Sequence, residues 1–221
     1  MRLTIVAATG GIGRQLVRQA LAAGHDVTAL VRSPEKITDP VRAVFSDLAH
    51  PDPVAIAEAI KGTEAILSGL GARSSQEAGV AWRGTEALTE AAWAAGVRRI
   101  VVVSAAPIGT VPSPDRPGPP RHDPGDGFFM RYLGANFAKT MFRTHYGDLA
   151  RMEDIVRASG LDWTISRPPR LTDKPLTARY RTALDRNVRG GTSISRADVA
   201  HHMLACLDRP ETIGHTVGIA T

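Results

Sequence analysis

The chain has 221 residues, 43% of them apolar and 22% charged, which is ordinary globular usage and excludes a disordered, collagen-like or low-complexity protein. At this length a core forms without metals or disulfides, and one domain with a small appendage is the prior. Lys+Arg exceed Asp+Glu by 27 to 22; seven basic against two acidic side chains fall within 167–189, so the surplus of +5 fits a local anionic ligand better than a nucleic acid.

Leu3–Val6, Asp26–Val31, Val41–Phe45, Glu64–Ser68 and Arg99–Ser104 read as strands, mostly continuous apolar runs as in a sheet covered on both faces. Between them, Ile12–Ala23 carries an apolar stripe of helical spacing, and Pro53–Ile60 follows Asp52 as N-cap. Gln76–Ala95 is an Ala-rich helix stopped by Gly96. This alternation predicts an α/β fold: a doubly wound, mainly parallel Rossmann sheet with helices on both faces. Pro107–Gly127 holds seven of the fifteen prolines and reads as a long loop, either a lid or disordered. A helical region, Phe128–Ser159, is expected to break at Gly147 and close at Gly160, with Glu153 and Asp154 on a solvated face. Leu161–Ser166 reads as a sixth strand. Ser195–Asp198 opens a helix to Leu207 in the manner of a capping box, and Thr216–Ala220 is a last short strand. The expected organisation is one domain over 1–221, with 167–221 as its smaller, substrate-side part.

The single cysteine, Cys206, excludes a disulfide framework and a multi-cysteine metal site. No signal-peptide pattern or apolar run of about 18 residues occurs, so a cytoplasmic protein outside the membrane is expected.

The most specific motif follows the first strand: Ala7-Ala8-Thr9-Gly10-Gly11-Ile12-Gly13. A sharp turn there brings backbone N–H groups and a helix N-terminus to a pyrophosphate, so side chains must be small. Its place between the first strand and first helix of a βαβ unit gives the pattern its weight. Ala7 replaces the first glycine of the usual G-x-x-G-x-x-G spacing. A methyl is accommodated if the turn keeps φ negative, and otherwise shifts the pyrophosphate or weakens binding.

The second strand ends at Arg32 and Ser33. An acidic residue there would mark NAD, whereas Arg32 suits a 2′-phosphate, which favours NADP(H) over NAD(H) unless Arg32 is a plain surface cation. After the third strand come Asp47 and Leu48; Asp47 accepts from the adenine amino group or caps a turn. Gly69, Leu70 and Gly71 end the fourth strand, either admitting the cofactor ribose or forming a simple turn. Ser104 orients nicotinamide or substrate, or only bonds backbone.

The chain resembles the atypical short-chain dehydrogenases/reductases, most of all the biliverdin IXβ reductase/flavin reductase group and its bacterial NAD(P)-binding relatives. Ala8 to Gly13, Ala29 to Arg32, Ser159 to Thr164, Arg167 to Thr177 and Ile194 to Ala200 carry the resemblance. It implies NADP(H), hydride transfer to a planar acceptor (flavin, quinone or tetrapyrrole), and Pro168 and Pro169 at the nicotinamide. Ala105 stands where active members carry a polar side chain, and Arg170 where they carry His. The Tyr-x-x-x-Lys pair is absent: Asn136, Ala150 and Leu184 follow Tyr132, Tyr146 and Tyr180 by four residues. Without that acid, ordinary ketones are poor substrates, while a flavin-like acceptor delocalises its anion and takes its proton from water.

Ser104 and Arg170 are the candidate catalytic residues. A small planar or anionic molecule is the expected partner, with no nucleic acid and no membrane, and the oligomeric state stays open. A non-catalytic NADP-binding sensor of the NmrA-like kind is the second reading, and a nucleotide-sugar epimerase or dehydratase the third. His145-Tyr146 and His201-His202 read as surface or packing residues, since helical neighbours point apart, and no metal is expected.

Overall fold

Strand β1 (Arg2–Val6) sends Leu3 and Ile5 to one face of the sheet and Val6 to the other, all buried. The structure, a computed structural model, describes residues 1–72, 77–125 and 143–221. Around β1 assemble β2 (Asp26–Val31), β3 (Arg42–Phe45), β4 (Ala65–Ser68), β5 (Arg99–Val103) and β6 (Asp162–Arg167). The chain then adds β7 (Arg170–Thr172), β8 (Arg181–Leu184), β9 (Ser193–Ser195) and β10 (His215–Ala220). The main sheet runs β3-β2-β1-β4-β5-β6-β10-β8, parallel throughout except for β8, which pairs antiparallel with β10. The Rossmann expectation therefore holds.

Helices α1 (Gly11–Ala22) and α5 (Arg196–Ala205) cover one face. On the other lie α2 (Pro53–Ala59), α3 (Val80–Ala94) and α4 (Arg143–Ala158). Alternate residues of β5 serve the two cores, Ile100 and Val102 on one side, Val101 and Val103 on the other. Each fully buried aliphatic side chain contributes about 1.5–3 kcal/mol, which explains why these strands are apolar on both faces. Strand order reverses between β1 and β4, and that switch point opens a crevice at the strands' C-terminal ends.

Several boundaries and environments differ from the expectations. α4 passes through Gly147 unbroken: a glycine inside a helix costs about 1 kcal/mol, and the burial of Leu149, Ala150, Met152 and Val156 outweighs it. Glu153 and Asp154 are buried, not solvated, because α4 presses them against the β6 end and the proline-rich segment. That segment is pinned where it is described: Asp115 N–H donates to Asp154, and Asp123 accepts from the N–H groups of Gly125 and Asn187. Residues 126 and 127, the stretch 128–142 and Gln76 lie outside the described residues, as do Tyr132 and Asn136.

The strands β7, β8 and β9 come from a segment without apolar alternation. β7 and β9 form a separate parallel pair, while β8 and β10 extend the main sheet, so the C-terminal part is shared between sheet and rim. The Ser195 hydroxyl accepts from Asp198 N–H as a helix cap. Asp198 does not return the bond to the Ser195 backbone; its carboxylate takes the Ser195 hydroxyl and the N–H groups of Thr177 and Ala178 instead.

Candidate functional site

The turn after β1 closes through Gly10 N–H to Ala7 C=O at 2.8 Å, and α1 begins at Gly11 with no side chain capping its first N–H groups. Those donors are what an anion needs. A Cβ on Gly13 would lie 2.2 Å from the Ala7 carbonyl oxygen, so only glycine lets α1 approach β1 this closely. Gly69 packs next to Gly13, and a Cβ on Gly11 would meet the Arg196 side chain at 2.6 Å.

Ala7 has φ +57, so the condition under which its methyl is accommodated, a negative φ, is not met. The turn imposes the left-handed conformation that the glycine of the common motif adopts freely, and the methyl carries strain. Ala7→Gly is expected to raise stability by about 0.5–1 kcal/mol, read as a higher urea midpoint; an unchanged or lower midpoint would deny the strain.

Beyond the turn, Ala7, Thr9, Arg32, Ser33, Leu48, Leu70 and Gly71 line one cleft, bringing together side chains from the ends of β1 to β4. Sequence reading missed three polar members of that cleft, Lys36, Ser46 and Glu77. Arg32 Nη2 donates to Glu77 Oε1 at 2.7 Å. Asp47, between two lining residues, directs its carboxylate to Ala49 N–H and the His50 ring, so it behaves as a turn cap. The bond with His50 leads the influences on its pKa and holds it below the usual carboxylate value.

Ser104 directly follows β5, where its N–H bonds Ser166 C=O and Ala106 N–H bonds Pro168 C=O, so Ser104 and Pro168 lie at adjoining strand ends. The Ser104 hydroxyl donates to Glu153 Oε1 at 2.6 Å. Glu153, with 0% exposure, also receives Arg167 in a two-pronged pair and Arg157 at 2.6 Å. Burial pushes the Glu153 carboxyl up; the charges of Arg167 and Arg157 and the hydrogen bonds of Arg167 and Ser104 outweigh it and hold it ionised, below its ordinary value. Burial lowers Arg167, and Glu153 overcomes that and raises it. With its proton committed to Glu153, Ser104 faces any further partner as an acceptor.

Arg170 lies on β7, exposed, in the separate β7–β9 pair. The basic segment does not make one rim: Arg167 is neutralised inside the protein, while Arg181 sits on the edge strand β8 and donates to the Arg189 carbonyl. Tyr146, four residues before Ala150 on α4, is raised by burial, the opposite of the shift a neighbouring Lys would cause in a general acid. His145, expected as a surface or packing residue, lies 3.9 Å from where a Cβ on Gly71 would sit. Among the described residues no group of three or more His, Cys, Asp or Glu could hold a metal, and no helix is long and apolar enough to cross a membrane.

The family described as NAD(P)H-binding matches residues 7–210. The chain belongs to that NAD(P)H-binding family. The match begins at the strained Ala7 turn and runs through β6 to α5, in keeping with the resemblance drawn from the motifs. A 3-diazoavenalumate denitrifying reductase from Streptomyces sp is 30% identical over 76% of this chain, which spans 55% of that relative's length. The uncharacterized sugar epimerase YhfK of Bacillus subtilis (strain 168) is 30% identical over 96% of this chain and 90% of its own. The solved structure of ChuY, an anaerobillin reductase from Escherichia coli O157:H7, superposes with a TM-score of 0.74 at 21% identity, covering 99% of this chain and 97% of that one, which supports the fold.

Proposed function

We propose that the chain is a cytoplasmic, NADPH-dependent reductase of the atypical short-chain dehydrogenase kind acting on a planar acceptor: a flavin, a quinone or a tetrapyrrole. The observation that carries this reading is Arg32, held with Ser33 and Lys36 in the same cleft as Ala7 and Thr9 of the glycine-rich turn. The residues fit the dinucleotide: Gly13 lets α1 close onto the Ala7–Ala8 backbone, and α1 offers uncapped N–H donors to the pyrophosphate. When bound, the cofactor supplies a hydride, its C4–H electron pair, to the acceptor, which takes a proton from water. Arg32 and Lys36 neutralise the 2′-phosphate; Ser104, donating to Glu153, offers its lone pairs to the carboxamide amino group; Pro168 and Pro169 wall the nicotinamide end. The reductase name of the Streptomyces relative supports this chemistry.

Purified protein is expected to consume NADPH with FMN, riboflavin or a quinone as acceptor. Arg32→Ala is expected to weaken NADPH by about 10- to 100-fold, from the loss of a charge-assisted contact, with NADH changed by no more than about twofold. Equal loss for both cofactors would sink the 2′-phosphate assignment. The second reading is a sensor that binds NADP without chemistry. It draws on the commitment of the Ser104 proton to Glu153 and on the absence of a Tyr-x-x-x-Lys pair from the sequence. Tight NADPH binding with no acceptor turned over selects it.

A further inference from the structure

Glu77 is the acidic member of an otherwise basic corner. Its carboxylate receives Arg32 at 2.7 Å, with the Arg32 side chain 49% exposed and Glu77 only 21%. The two lie 45 residues apart, so the pair is assembled by the fold. Arg32 is not what fixes the backbone just beyond Glu77. Asp148 on α4, itself buried, accepts from the N–H groups of Gly79, Ala81 and Trp82, and Gly79 takes φ +86 to make the turn into α3. A separate carboxylate thus holds the turn that presents Glu77 to the cleft.

A phosphate monoester carries about −1.5 to −2 charges near neutral pH, whereas a ribose hydroxyl carries none and can donate a hydrogen bond. An incoming 2′-phosphate must compete with Glu77 for Arg32 and meets a like charge as it does so. A 2′-hydroxyl meets no repulsion and finds in Glu77 an acceptor. Resting on the assignment of Arg32 to the 2′-phosphate, we propose that Glu77 is a specificity-determining residue that restrains NADPH and accommodates NADH. Cofactor preference is then a property of the Arg32–Glu77 pair.

Calorimetric titration with adenosine 2′,5′-bisphosphate and 5′-AMP, alongside NADPH and NADH, tests this on the adenosine half alone. Glu77→Gln keeps the shape and an acceptor oxygen while removing the charge. It is expected to tighten the bisphosphate and NADPH by about 5- to 10-fold, leaving AMP and NADH within about threefold. The gain is expected to shrink at about 0.5 M salt, as removal of an ionic repulsion requires and a change in packing does not. Arg32→Ala separates the inference from the assignment beneath it. If that variant weakens the bisphosphate but not AMP, while Glu77→Gln leaves their ratio within about twofold, the role of Glu77 is overturned and the Arg32 assignment stands. If Arg32→Ala weakens both probes equally, both fall.

Discussion

Glu153→Gln is expected to lower the folding free energy by about 3–5 kcal/mol. The side chain is fully buried, and Arg167 beside it is only 6% exposed. Gln preserves the volume and an acceptor for the Ser104 hydroxyl, but it leaves the Arg167 guanidinium without its counter-charge inside the protein. Arg157, with 30% of its side chain exposed, can turn toward water and adds little to the loss. Urea denaturation at neutral pH measures the effect, and a change below about 1 kcal/mol would mean that water already reaches the pair. Replacing both Glu153 and Arg167 by Met is expected to recover much of the stability, since the two buried charges of the pair are then removed together. NADPH turnover of that double variant then reads whether the orientation of Ser104 matters to the chemistry.

The second large effect is a loss of stability in mild acid caused by His202. Burial, then the neighbouring charges of Arg209 and His201, lower its pKa from 6.5 to about 4. Its Nδ1 lies 3.0 Å from the Ser166 hydroxyl, Cys206 Sγ is within 3.9 Å, and the Tyr180 ring meets it edge-on. Above pH 6.5 the imidazole is neutral in both folded and unfolded chains and costs nothing. As pH falls from 6.5 to 4 the unfolded chain binds a proton that the native state refuses, so stability declines by about 3 kcal/mol in total. Below pH 4 the decline from this group stops. Glu153 behaves in the same direction at lower pH, because its depressed folded pKa gives stability that is lost only as that carboxylate protonates. His202→Leu is expected to flatten the stability profile between pH 6.5 and 4, whatever its stability at pH 7. A variant profile parallel to that of the parent would show that His202 is not the group responsible.

The two substitutions also mark where the sequence is legible. The Ala7–Gly13 turn is read from its residues because the constraint is local: a strand, a turn too tight for side chains, and a helix start follow within a dozen positions. The Asp52 and Ser195 caps are read for the same reason, and both hydroxyl and carboxylate accept the expected N–H groups. Glu153 is not legible. On α4 it resembles any charged surface residue, and its partners come from 49 residues before (Ser104) and 14 after (Arg167). Glu77 and Asp148 share that difficulty, since each acts on a segment far away in sequence. The strands β7, β8 and β9 escape notice because runs of three or four residues are too short to carry a periodic signal, and only β10 and the β7–β9 pairing make them strands.

By itself the sequence determined the chain's family and layered α/β architecture, since apolar periodicity and glycine spacing are short-range properties that folding must obey. It also placed the charge surplus of +5 in 167–189. Only the tertiary structure decided what those charges do: Arg167 is spent inside on Glu153, and Arg181 lies on the far edge of the sheet. The cleft itself takes Arg32 and Lys36 from elsewhere and sets Glu77 against them. Charge is counted along a chain, but Coulomb energy depends on distance and burial, which exist only once the strands have been brought side by side.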